Sequence, residues 1–416
     1  MKARAKTLVG LDIGTTKICA VVAEQTADGL QIIGCGTHPA TGLRKGVVVN
    51  IESTVQSIKK AIEEAELTSG REIKHVYAGI AGGHIQAFNS HGVIALKEQE
   101  VSLAEKKRVI DAARAVAIPM DREVLHIIPQ NFIIDDQDGI DDPVGMCGVR
   151  LEAHVHIVTG AVAAAQNLVK CCERAGLSVV DIILGPLASA EAVITPDEKE
   201  LGVVVVDMGG GTTDIVVIGQ GSVKHTSVLT IGGNHVTSDI SHGLRTPMAE
   251  AEKIKIKHAC ALVSKVGKDE TIEVPGAGGR RPRILNRRIL AEIVEPRVEE
   301  IFSLIRQELQ NKGFEETAVS GVVLCGGGSM LDGTVELAEQ VFGLPVRRGE
   351  PRELEGLSDQ MKDPSFATGV GLVKHAYESR EDDGSPVINE SDDKLFSRIT
   401  QKMKGWFQQF FLGGEE

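Results

Sequence analysis

Four valines at 203–206 run into an aspartate, three glycines and two threonines, and the apolar pattern resumes at 215–218: VVVVDMGGGTTDIVVIG over 203–219. β-branched runs separated by glycines predict two strands joined by a tight hairpin turn. Residues 8–18, LVGLDIGTTKI, repeat the pattern. Asp12 and Asp207 stand 195 residues apart, about one domain length, so the chain reads as two related halves that each present a hairpin.

Glycine admits positive φ and leaves backbone N–H groups bare, which suits an anion. One such turn would be a plain hairpin. Two, set face to face, would clamp a polyphosphate from both sides. Asp12 and Asp207 could hold Mg²⁺ through water, because this small ion dehydrates reluctantly and takes further ligands from phosphate. Thr15, Thr16, Thr212 and Thr213 offer hydroxyls, and Lys17 offers a cation to terminal phosphates. Gly14, Gly209, Gly210 and Gly211 complete the turns. Glycines also follow apolar runs at Gly232–Gly233 and at Gly326–Gly328, where Ser329 comes next. Neither G-x-x-x-x-G-K-[ST] nor a complete G-x-G-x-x-G is present, which removes the P-loop and Rossmann readings.

Between the halves, residues 84–164 carry a strand-like HIQAFNSHGVIAL, a helix over 102–117 with a Ser102/Glu105 capping box, and strands in VLHIIPQNFII and EAHVHIVTG. His84, His91, His154 and His156 lack a ligand arrangement and read as ordinary strand or loop residues. Residues 226–303 hold an AEKIK helix, a Gly/Arg/Pro-rich loop at 275–282 and a helix from Leu290 onward.

The tail changes character. Residues 378–393 contain seven acids against one base, a disordered linker by composition. KLFSRITQKMKGWFQQFFL, 394–412, has four bases, no acids, the only tryptophan and five of the thirteen aromatic residues. At 100° per residue Phe396, Ile399, Trp406, Phe407 and Phe410 share one side and Lys402 lies with the other bases opposite, which predicts an interfacial helix seeking anionic lipid.

A length of 416 residues implies more than one core, and the net charge of −13 argues against a general nucleic-acid binder. Seven scattered cysteines without C-x-x-C read as reduced thiols in a cytoplasmic protein. The basic N-terminus is not a signal peptide, since Asp12 falls inside the would-be apolar region, and no run of about 18 apolar residues spans a bilayer.

On these residues the chain resembles the actin, heat-shock-70 and sugar-kinase superfamily. Asp12–Lys17 is similar to its first phosphate motif, Asp207–Thr212 to its second and Gly326–Gly328 to its adenosine motif. The AEKIK helix is similar to the one that sets a glutamate on the ribose and a lysine near the purine, here Glu252 and Lys255. Residues 175–194 and FATGVGL from Phe366 resemble the two connecting segments. Within the superfamily the chain most resembles the FtsA family of actin-like division proteins, through VLHIIPQ (124–130), DPVG (142–145) and GKDETIEVP (267–275).

The resemblance implies an α/β, actin-like (ribonuclease H-like) duplicated two-domain fold with inserted subdomains and a C-terminal amphipathic helix. Its divisions would be 1A (1–83 plus 165–195), 1C (84–164), 2A (196–225 plus 304–377), 2B (226–303), linker (378–393) and membrane helix (394–412). It implies ATP and Mg²⁺ as cofactors. Its partners would be the FtsZ C-terminal peptide, further copies of the chain, other division proteins and the inner membrane's cytoplasmic face. Arg287, Arg288 and Arg297 become candidate contacts for the acidic FtsZ peptide. One departure bears on chemistry: Gly185 precedes Pro186 where heat-shock-70-type relatives carry a water-positioning glutamate, and Glu191 reads as a helix-surface residue. ATP binding with slow hydrolysis is expected. The alternative is a sugar-kinase-type phosphotransferase, which would need a polar substrate pocket and no membrane tail.

Overall fold

A strand buried on both faces needs no polar alternation, and the valine run is such a strand. Val203 and Val205 pack into one hydrophobic cluster, Val204 and Val206 into another on the opposite face. The computed structural model describes residues 6–383 apart from 27, 28, 277, 279, 353 and 357. The expected membrane helix at 394–412, with Phe396, Ile399, Lys402, Trp406, Phe407 and Phe410, lies outside the described residues, as does the linker beyond 383.

The first lobe begins with β1 (Lys6–Ile13), β2 (Lys17–Thr26) and β3 (Gly29–Pro39), a short ribbon of β4 (Leu43–Arg44) and β5 (Val47–Val48), then α1 (Ile51–Ser69) and β6 (His75–Ile80). The chain leaves for an inserted unit: β7 (Gln86–Ala95), α2 (Leu103–Arg114), β8 (Arg122–Ile134), β9 (Gln137–Ile140) and β10 (Arg150–Ala161). It returns through α3 (Val162–Arg174), β11 (Ser178–Leu184), α4 (Gly185–Val193) and α5 (Pro196–Leu201). The second lobe comprises β12 (Val203–Met208), β13 (Thr213–Gly219), β14 (Ser222–Leu229), α6 (Gly233–Leu244), α7 (Met248–His258), β15 (Thr271–Val274), β16 (Arg283–Asn286), α8 (Arg287–Lys312), β17 (Val322–Cys325), α9 (Thr334–Phe342), β18 (Val346–Arg348) and α10 (Ala367–Asp383).

The two main sheets have one topology. The first runs β3-β2-β1-β6-β11 and the second β14-β13-β12-β17-β18, antiparallel across the first three strands and parallel across the last three in both. Helices α4 and α10 pack between the sheets, sharing a cluster that takes Leu8, Val21, Val205 and Val216 from both lobes. Their contact is close enough that a Cβ at Gly371 would collide with the Ala188 carbonyl oxygen, which accounts for the small residues in FATGVGL. The outer faces are covered by α1 and α3 on the first lobe and by α6, α8 and α9 on the second.

The inserted unit is a four-stranded sheet, β7-β10-β8-β9, with its own core on α2. Ser102 and Glu105 form the capping box that starts α2, which ends at Arg114, three residues before the sequence expectation. The unit also touches the second lobe. Gln130 Nε2 donates to the Val223 and Lys224 carbonyls at 2.7 and 3.2 Å, and buried His156 bridges Asn89 at 2.6 Å and Thr226 at 2.9 Å. His156 is thus a strut between units, and burial pushes its imidazole down to about 4. Two expected boundaries shift. Helix α8 runs through position 303, and α10 extends six residues into the segment read as linker, because both patterns continue unbroken.

Candidate functional site

Asp12 and Asp207 end equivalent strands, and the turns after them are built alike. Gly14 N–H donates to Lys17 O at 3.0 Å in the first, and Gly209 N–H to Thr212 O at 2.9 Å in the second. Across the hairpins Asp12 pairs with Cys19, and Asp207 with Asp214. The turns meet at the lobe boundary: a side chain on Gly210 would collide with Thr16, and a Cβ on Gly211 would stand 2.6 Å from Thr15 Oγ1. The threonines of one turn occupy the room that the glycines of the other leave free.

The electrostatics of this meeting point are unbalanced. Burial, only partly offset by the Lys17 ammonium and reinforced by Asp207, pushes Asp12 up to about 7. Asp214 goes up to about 8 through burial and through Asp207, less what the Thr212 hydroxyl returns. Asp207 is raised by burial but drawn back by hydrogen bonds from Ser189 and Thr368 and by Lys17. One Asp214 oxygen, Oδ1, is buried with no partner among the described residues, while Thr212 Oγ1 bonds the other at 3.0 Å. Three neighbouring carboxylates, of which Lys17 offsets only Asp12 and Asp207, make a donor set short of positive charge.

Lys17 reaches across the boundary. Its Nζ donates to Ser365 O at 2.7 Å and Ser365 Oγ at 3.2 Å and lies 4.0 Å from the Phe366 ring centroid, all ahead of α10. Gly232 and Gly233 open α6 against the second turn, with Gly233 N–H donating to Gly209 O at 2.9 Å. Lys255 Nζ sits on Gly233 O at 3.1 Å, on Thr237 Oγ1 at 2.9 Å and on Glu252 Oε2 at 2.7 Å, so α7 carries both predicted residues to the same corner. Gly326, at φ 76°, turns the chain directly beside Asp207 Oδ1, where a side chain would collide. A Cβ on Gly328 would come within 2.8 Å of Met208, while Gly327 stands in the same turn.

Several sequence expectations change. The hydroxyls of Thr212, Thr213 and Ser329 face inward: Thr213 Oγ1 donates to Ile231 O at 2.8 Å and Ser329 Oγ to Gly326 O at 2.7 Å, so they hold the turns. Glu191 is no simple surface residue, since it pairs with His375 Nδ1 at 2.9 Å. Burial lowers that imidazole, but Glu191, with Asp181 and Glu378, outweighs it and the net shift is upward. Arg287 bonds His258 O, Glu270 and Asp332, and Arg297 forks onto Asp239 at 2.6 and 3.2 Å and also pairs with Glu300. Arg288, half exposed, has only a 3.8 Å approach to Glu292. The sequence reading missed Asp214, Ser189, Thr368 and Ser365. Of these only Asp214 carried a signal, as an acid where the first motif has Cys19.

Family models match two parts of the chain, "Cell division protein FtsA" over residues 204–371 and "SHS2 domain inserted in FTSA" over 82–159, the latter falling on the inserted unit. Among curated proteins the chain is 52% identical to "Cell division protein FtsA" of Pseudomonas aeruginosa over 410 residues, 98% of each chain. It is 42% identical to that of Escherichia coli K12, again over 98% of each, and 38% to that of Bacillus subtilis, over 94% of this chain and 88% of that one. Solved structures with the same fold include a PilM-PilN type IV pilus biogenesis complex (TM-score 0.65, 18% identity, 89% of this chain and 98% of that one). Another is MreB5 of Spiroplasma citri bound to ADP (TM-score 0.54, 14% identity, 91% and 99%). The fold is actin-like, and by identity across nearly its whole length the chain belongs to the FtsA family of cell division proteins.

Proposed function

We propose that this protein is an ATP-binding, actin-like scaffold that tethers FtsZ polymers to the cytoplasmic face of the membrane at the division site, associates with further copies of itself and helps recruit later division proteins. The observation that carries the nucleotide part is the pair of hairpins meeting at the lobe boundary, where Asp207 raises the pKa of both Asp12 and Asp214, and Lys17 offsets Asp12 and Asp207. The donor set fits Mg²⁺ held through water: oxygen ligands, excess negative charge and one orphaned carboxylate oxygen. Among the described residues no three His, Cys, Asp or Glu side chains converge as direct metal ligands, so in this reading the cation would keep its waters and take phosphate oxygens. When bound, the ion would neutralise the triphosphate. Lys17 would turn from Ser365 to the terminal phosphates, and Glu252 with Lys255 would border the ribose and purine.

Hydrolysis is slow in this reading. Helix α4 opens Gly185-Pro186, with no carboxylate there to orient water. The sugar-kinase alternative is disfavoured by the family assignment. For FtsZ, Ile284, Arg288 and Ile289, each exposed or half-exposed, are apolar and basic groups of the kind an acidic, apolar peptide would meet. Membrane attachment rests on the sequence of 394–412, with its aromatic face and four bases.

Cosedimentation with anionic vesicles, with and without Mg²⁺–ATP and an FtsZ tail peptide, tests the reading. The peptide should pellet only with full-length protein, and Trp406→Glu with Phe407→Glu should release protein and peptide together. Unchanged pelleting of that variant would contradict the tether.

A further inference from the structure

Among the described residues, side chains grip Asp207 and not Asp12. Ser189, fully buried on α4, places Oγ 2.6 Å from Asp207 Oδ2, and Thr368 on α10 places Oγ1 3.2 Å from the same oxygen. The two hydroxyls lie 2.9 Å from each other. A carboxylate can only accept, and each hydroxyl has one proton. The short contact assigns the Ser189 proton to Asp207, so Ser189 cannot also donate to Gly185 O at 3.2 Å. The Thr368 proton then goes to Asp207 directly or to Ser189 Oγ, and either route feeds the same anion. Gly326 closes on the other oxygen, Oδ1, which leaves the carboxylate little room to turn.

A helical serine usually bonds back to the carbonyl four residues earlier, a purely local role. Here the shorter bond runs to another element, and its partner hydroxyl comes from a third, across 161 residues of sequence. The two helices are those that pass between the lobes.

The geometry points to Ser189 and Thr368 as positioning residues that fix the Asp207 carboxylate, so that it presents an aimed acceptor to the water shell of a nucleotide-bound divalent cation. This rests on the Mg²⁺–ATP reading above and names residues that serve it. Because one hydroxyl comes from each crossing helix, cation affinity is also tied to how α4 and α10 sit on each other. The first turn has no counterpart among the described residues: no pair of helix hydroxyls meets Asp12 as Ser189 and Thr368 meet Asp207.

The test uses the full chain with Ser189→Ala, Thr368→Val and the conservative pair Ser189→Thr and Thr368→Ser. ATP affinity is measured by calorimetry with Mg²⁺ and in EDTA, and Mn²⁺–ATP binding by electron paramagnetic resonance. Thr368→Val keeps the side chain's shape and so separates hydrogen bonding from packing. Each removal of a hydroxyl should weaken Mg²⁺-dependent affinity and Mn²⁺ binding roughly tenfold, as outer-sphere partners of metal ligands do. ATP affinity in EDTA should stay near wild type, and Thr368→Ser should keep the wild-type response. Equal losses with and without Mg²⁺, or an unchanged Mn²⁺ signal in Thr368→Val, would overturn the assignment. Failure of the underlying reading shows separately, as wild-type protein that binds ATP with no Mg²⁺ dependence or not at all.

Discussion

The two hairpins share a sequence pattern, a strand register and an internal hydrogen bond, yet they are not interchangeable. Superimposing the motifs puts Thr15 against Gly210, Thr16 against Gly211, Lys17 against Thr212 and Cys19 against Asp214. The first turn carries side chains and a cation that crosses to the opposite lobe. The second is bare at its tip, backed by α6, and its aspartate is held by two helices. A duplicated motif has divided its work. One copy has its carboxylate held between two helices, and the other carries a cation bonded to the opposite lobe.

The largest effect that would break this comparison comes from Asp207→Ala. It should lower Mg²⁺-dependent ATP affinity by more than the roughly 100-fold that marks the upper end of losses from supporting residues. Asp12→Ala should cost less, since nothing aims that carboxylate beforehand. Calorimetry on both variants decides it, and equal losses would mean that the turns are equivalent after all.

Next is steric exchange. Gly210→Thr should destabilise the closed arrangement by about 1–3 kcal/mol through collision with Thr16, and adding Thr16→Gly should recover most of it. A double-mutant cycle on thermal unfolding reads the coupling. Additive losses would show that the turns do not touch in solution.

The pH response separates the turns more gently. A buried acid whose folded pKa exceeds its unfolded value favours folding while protonated. For nucleotide-free protein that contribution is present below about pH 4 and fades as pH climbs through about 7 for Asp12 and about 8 for Asp214. Asp12→Asn should therefore flatten the fall in thermal midpoint up to pH 7 and leave the decline toward pH 8 in place.

The smallest effect concerns the strands behind the turns. Strand β14 is held at its outer edge by Gln130 and His156 of the inserted unit, while β3 is the equivalent strand of the first lobe. Gln130→Ala, costing about 1 kcal/mol, should speed amide exchange in β14 and leave β3 unchanged.

Much of the architecture was legible because it is written in local pattern. The valine run, its repeat at 8–18 and the Ser102/Glu105 box fixed the duplicated sheets and the start of α2 through strand burial and capping. The turn residues were legible as residues, but their directions were not. Thr212, Thr213 and Ser329 look like ligand hydroxyls in the sequence and bond inward in the structure. Ser189 and Thr368 sit in stretches of small residues that read as helix packing, and their bond to Asp207 exists only once both helices cross the lobes. Arg287 and Arg297 resemble partner contacts until Glu270, Asp332 and Asp239 come beside them.

The central claim is that opposite lobes grip one nucleotide-bound cation, and a crystal structure of the full chain with Mg²⁺ and a non-hydrolysable ATP analogue tests it most directly. The account predicts one cation, its waters bonded by Asp207 from one side and Asp12 from the other, with Lys17 swung from Ser365 to the phosphates. A cation bound away from either carboxylate, or a nucleotide that leaves Lys17 on Ser365, would contradict it.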